Sequence, residues 1–102
     1  MILADTQIWI AHWKHFNDSL ADLVDRGLII CHPVVIGELA CGQFPRRKVV
    51  LGAMRSLPQT MQADHDEVLT LIENHRLMGI GIGYADAHLL ASCVLGDDLL
   101  WT

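Results

Sequence analysis

Three short apolar runs, Ile2-Leu3-Ala4, Leu28-Ile29-Ile30-Cys31 and Leu99-Leu100-Trp101-Thr102, carry no charge, and helix-periodic sequence separates each from the next. A strand that is apolar on both faces cannot leave one face in water. Such strands belong to parallel sheets covered by helices on both sides. The intervening stretches carry the matching start and stop signals. Asn17-Asp18-Ser19 begins a helix whose buried face is Leu20, Leu23 and Val24, and Gly27 stops it. Pro33 suits the first position of the next helix, with Gly42 just beyond its end. Pro45 opens a basic helix running to about Leu57, and Pro58 closes it; Asp64, with Glu67 three residues on, forms a capping box. The expectation is an α/β fold with a mainly parallel sheet, and 102 residues form one domain, 1–102.

Composition narrows what such a domain does. With 52% hydrophobic and 19% charged residues the chain is not disordered. No apolar run approaches the length that spans a bilayer, so the expected setting is cytoplasmic, without a membrane partner. Three cysteines, Cys31, Cys41 and Cys93, sit among apolar neighbours without paired spacing, which predicts reduced core thiols rather than disulfides or zinc ligands. A formal charge of −5 argues against a generic polyanion binder. Arg46, Arg47, Lys48 and Arg55 nevertheless gather four of the seven cations, a pattern usually seen on a solvated helix face.

Three acids stand in apolar surroundings. Asp5 ends the first strand at its carboxyl edge, where open α/β sheets bind ligands. Asp5 or Thr6 also serves as the N-cap of the following helix, and a cap on Thr6 leaves the Asp5 carboxylate free. Glu38 is the lone charge between Val34 and Cys41. Asp86 shares a helical face with Leu89, Leu90, Cys93 and Val94, which predicts a place on a buried stripe near the helix N-terminus. If they converge, three carboxylates raise one another's pKa unless a cation neutralises them, and hard oxygen donors select Mg²⁺, with Mn²⁺ as substitute. Such a centre suits phosphodiester hydrolysis. Other motifs read as structural. Trp9, Trp13 and Phe16 form an aromatic stripe expected in the core, although two Trp on one short helix also suit a partner interface; His12 and His15 are expected at the surface. The glycines at 79, 81 and 83 lack the spacing of a phosphate loop and read as a flexible approach to the Asp86 helix.

Met1 to Ile10, Val35 to Ala40 and Tyr84 to Ser92 together resemble the three acidic motifs of PIN-domain ribonucleases of the VapC toxin group, and Leu99 to Thr102 resembles the strand before that family's fourth motif. The resemblance implies a PIN-like three-layer α/β/α fold and Mg²⁺-dependent endoribonuclease activity as the toxin of a type II toxin–antitoxin pair. It also implies a VapB-type antitoxin partner, an RNA substrate and a homodimer. Asp5, Glu38 and Asp86 would be the catalytic metal ligands, supported by the Thr6 hydroxyl, with Arg46, Arg47 and Lys48 as candidate RNA-backbone contacts. The family's fourth acid, two positions after the residue matching Thr102, and the helix and strand that follow it have no counterpart in the sequence. The alternative expectation is therefore a catalytically disabled PIN-fold module that binds an antitoxin or a second protomer.

Overall fold

The computed structural model describes all 102 residues as β1 (Ile2–Ala4), α1 (Thr6–Lys14), α2 (Asp18–Asp25), β2 (Ile29–Ile30), α3 (Pro33–Ala40), α4 (Arg47–Ser56), α5 (His65–Asn74), α6 (Tyr84–Gly96) and β3 (Leu99–Trp101). The three strands form one parallel sheet in the order β2-β1-β3. Ile2 pairs with Ile29 on one side and with Leu99 on the other, so β1 is the central strand. Leu3 and Ala4 are fully buried there, as a strand covered on both faces requires. Beyond β2 the ladder is prolonged by the chain after α4. Cys31 N–H donates to the Pro58 carbonyl at 2.7 Å, and Thr60 N–H donates to the Cys31 carbonyl at 2.8 Å.

Helix boundaries follow the local chemistry. Asn17 caps α2 by accepting from Leu20 N–H, Pro33 occupies the first turn of α3, and Asp64 and Glu67 complete the capping box of α5. Gly27, at φ +70°, takes the left-handed conformation that ends α2. The main core joins Leu3, Trp9, Leu20, Ile29, Val35, Leu39, Met54 and Leu89; a smaller cluster of Ala63, Val68, Ala87 and Ala91 includes residues of α5 and α6. No helix is long and apolar enough to cross a membrane.

Several burial expectations are corrected. Of the aromatic stripe only Trp9 is buried. Trp13 stacks on Phe44 at the surface, with ring centroids 4.9 Å apart, and Phe16 is 70% exposed, because α1 ends at Lys14, before the stripe is complete. In α6 the buried positions are Ala87, Leu89, Ala91, Ser92 and Cys93, whereas Asp86 and Val94 are exposed. The helix packs on more than one side, and small residues rather than a single Leu/Val stripe mark its contacts. The third strand is not buried either. It lies at the sheet edge with Leu99 exposed and Leu100 and Trp101 half-buried.

The thiols divide in the same way. Cys31 and Cys93 are buried, but Cys41, just past the end of α3, is exposed. Burial pushes both buried thiols up to about 11, with Asp98 adding to the effect at Cys93. At neutral pH the native chain is expected to react with one equivalent of iodoacetamide, at Cys41, and to take up all three in denaturant. Peptide mapping showing native-state labelling of Cys31 would contradict this burial pattern.

Candidate active site

Where the strand order turns outward in both directions from a central parallel strand, the loops diverge and leave a crevice at the carboxyl edge. Here the turning point is β1, and Asp5 is the residue immediately after it. Its backbone N–H continues the ladder to the Trp101 carbonyl at 2.9 Å, which fixes where its side chain begins. One carboxylate oxygen, Oδ1, accepts from Ile8 N–H at 3.2 Å, making Asp5 rather than Thr6 the N-cap of α1. Asp5 is 8% exposed. Its second oxygen has no protein donor among the hydrogen bonds of the structure.

Thr6 is thereby released from capping. Its hydroxyl donates to Glu38 Oε1 at 2.7 Å, which joins the start of α1 to the sixth residue of α3. Asp86 enters from the first turn of α6, where unpaired helix N–H groups favour a negative charge. Asp5, Thr6, Gln7, Glu38 and Asp86 line one cavity of about 220 Å³ that has no apolar lining residue. Two larger clefts open from its acids. One of about 360 Å³ includes Asp5 and Asp86, and one of about 370 Å³ includes Glu38 together with Trp13, Leu39 and Phe44.

No lysine or arginine answers this charge. The ion pairs of the fold are the Met1 ammonium with Asp98 and Arg26 with Asp22, both at 3.3 Å and neither at the cavity. The donor set, three carboxylates and a hydroxyl, fits a hard divalent cation in kind. It is not drawn into a closed ligand cage, since no three His, Cys, Asp or Glu side chains stand near enough together to hold one ion.

The basic residues do not form a single face directed at this cavity. Arg47 donates from Nη2 to the Ala40 carbonyl and from Nε to the Gly42 carbonyl, closing the C-terminal end of α3. Arg46 is the left-handed residue, at φ 56°, that starts α4, and Arg46 and Lys48 are exposed.

A buried polar cluster on the helices that carry Glu38 and Asp86 has no counterpart in the sequence reading. His32, Ser92 and His88 form a hydrogen-bonded cluster between α3 and α6, with His32 and Ser92 fully buried. In the sequence His32 is only the residue before Pro33, and Ser92 only the last residue of the Tyr84 to Ser92 motif. Their partnership spans 60 positions and leaves no local signal.

An acidic cavity at the turning point of a parallel sheet flanked by helices defines a PIN-like α/β/α domain. Over its whole length the chain is 45% identical to Ribonuclease VapC32 of Mycobacterium tuberculosis, in strain CDC 1551 / Oshkosh and in strain ATCC 25618 / H37Rv, and it covers 83% of that protein. The chain belongs to the VapC-type PIN ribonucleases. No family model matches it, and neither does any solved structure.

Proposed function

We propose that the chain is the toxin of a toxin–antitoxin pair, a Mg²⁺-dependent endoribonuclease that hydrolyses RNA phosphodiesters at the cavity of Asp5, Glu38 and Asp86. The observation that carries this reading is that cavity itself, lined by three carboxylates without an apolar residue or a protein cation. Asp5 would hold the metal ion through Oδ2, because Oδ1 is engaged by Ile8 N–H. Glu38 would hold it with a carboxylate oriented by the Thr6 hydroxyl, and Asp86 with a carboxylate free at the mouth of α6. The bound ion supplies polarisation of a phosphoryl oxygen and a water of lowered pKa. The clefts on either side give a polymer room to cross the site, and Arg46 and Lys48 remain free to meet its phosphates.

The identity to Ribonuclease VapC32 supports the RNA substrate and a VapB-type antitoxin. The cleft with the stacked Trp13 and Phe44 is the surface proposed for that partner, since it is apolar and shares Glu38 with the cavity. A homodimer in the cytoplasm belongs to the same proposal.

The test is cleavage of a structured RNA with Mg²⁺ or EDTA, wild type beside Asp86→Asn. Wild-type cleavage should require Mg²⁺, and the variant should lose about 100-fold or more, the worth of several kcal/mol of charge stabilisation. Asp86 is exposed, so the variant's unfolding free energy should stay within roughly 0.5 kcal/mol of wild type. Undiminished cleavage by Asp86→Asn would sink the assignment. Antitoxin binding by a wild-type chain that cleaves nothing would instead favour the disabled binding module.

A further inference from the structure

His32 is a fully buried imidazole with every polar atom engaged. Its Nδ1 accepts from Val34 N–H at 3.0 Å, capping α3, which leaves the proton on Nε2. Nε2–H then points at Ser92 Oγ, 2.9 Å away, with His88 Nδ1 at 3.2 Å. Ser92 is equally committed. Its hydroxyl donates to the His88 carbonyl at 2.9 Å and accepts from Ala63 N–H at 3.0 Å. The cluster therefore fastens the N-terminus of α3 to the middle of α6 and to the chain leading into α5.

Apolar side chains would fill this volume at no desolvation cost, but their packing holds a helix crossing angle only to within about 15–20°. Hydrogen bonds of fixed length and direction narrow it further. What the angle controls follows from the spacing. Glu38 lies six residues after His32 on α3, and Asp86 lies six residues before Ser92 on α6. At the helical rise, each acid stands about 9 Å along its axis from the joint. A small rotation at the joint is thus carried outward to the two carboxylates, and displacements near 1 Å at a reacting centre cost on the order of 100-fold in rate.

We propose that His32 and Ser92 are positioning residues that set the separation of Glu38 and Asp86, and so govern the affinity of the acidic cavity for a divalent cation. The inference rests on the metal-dependent reading above. Neither residue touches the cavity, which is lined by Asp5, Thr6, Gln7, Glu38 and Asp86 alone.

The experiment is calorimetric titration of Mn²⁺ into the wild-type chain, Ser92→Ala, His32→Asn and Val68→Ala, with urea unfolding and RNA cleavage measured on each. Val68 is fully buried in the second apolar cluster, and its truncation is the control for lost stability alone. His32→Asn keeps a side-chain acceptor able to cap α3, so it reports on the joint even if Ser92→Ala folds poorly. Ser92→Ala and His32→Asn should each weaken Mn²⁺ binding by about 10-fold or more, as removal of an orienting residue does, and lower kcat with KM for RNA little changed. Val68→Ala should lose stability with wild-type Mn²⁺ affinity. Wild-type affinity in both joint variants would overturn the proposal while leaving the metal site standing. Absence of Mn²⁺ binding by the wild-type chain would overturn both.

Discussion

Asp5→Asn is expected to abolish RNA cleavage without weakening the fold, whereas Asp5→Ala should abolish cleavage and weaken the fold together. The two outcomes separate the two tasks of one side chain. As N-cap, Asp5 needs only an oxygen for Ile8 N–H, and Asn supplies it as well as Asp does. Alanine supplies none and costs about 1 kcal/mol. As metal ligand, Asp5 needs an anionic oxygen at the carboxyl edge of β1, and neither replacement has one. Losing several kcal/mol of charge stabilisation corresponds to roughly 1,000-fold in kcat. Because Asn keeps the cap oxygen, Asp5→Asn should unfold in urea close to the wild-type midpoint. Cleavage at the wild-type rate by Asp5→Asn would reduce Asp5 to a helix cap.

That double role shows where sequence reasoning was sufficient and where it stopped. Ile2-Leu3-Ala4 followed by Asp is a strand that ends in an acid at its carboxyl edge, and both halves of that reading rest on adjacent residues. The same holds for the Asn17 cap, Pro33 at the start of α3 and the Asp64–Glu67 box, each of which acts within three positions. Which oxygen or hydroxyl takes which partner was not local. Thr6 reaches Glu38 across 32 positions, and only the packing of α1 on α3 brings them together. Periodicity failed where a helix packs on more than one side. For α6 it placed Asp86 and Val94 inward, because counting large apolar residues misses a contact made by Ala87, Ala91 and Ser92. It failed again at Phe16, since period alone does not say where a helix ends, and at Trp13, which lies within α1 yet stacks on Phe44 at the surface. Arg47 read as a candidate phosphate contact, yet its guanidinium is committed to the Ala40 carbonyl at the end of α3 and the Gly42 carbonyl just beyond it. That Asp5, Glu38 and Asp86 line one cavity was anticipated because they are charges isolated in apolar sequence. The joint between their helices was not, because nothing in the sequence links the histidine before Pro33 to a serine 60 positions on until both are placed.

The buried histidine makes the wild-type fold acid-sensitive in a defined window. Burial first, and the nearby His88 second, lower the His32 pKa from 6.5 to about 4. Between those values the unfolded chain binds a proton that the native chain refuses, so stability must fall as pH falls. The contribution is fully present above the unfolded value of 6.5, declines toward 4 and is constant below it. A shift of this size corresponds to about 3 kcal/mol, a large share of the roughly 5–15 kcal/mol that holds a domain together. The structure says why the native state refuses the proton. Nε2 already carries one, directed at Ser92 and His88, and the remaining nitrogen is the acceptor that caps α3. Protonation at Nδ1 would turn that acceptor against Val34 N–H and release the helix that carries Glu38. Urea unfolding of wild type and His32→Asn at pH 7 and pH 4.5 measures the effect. The wild type should lose most of the 3 kcal/mol across that interval, while the variant, which cannot titrate there, should lose only what its other groups contribute. Equal losses in the two proteins would assign the acid sensitivity to other groups, the carboxylates and the remaining histidines, and leave His32 a bystander.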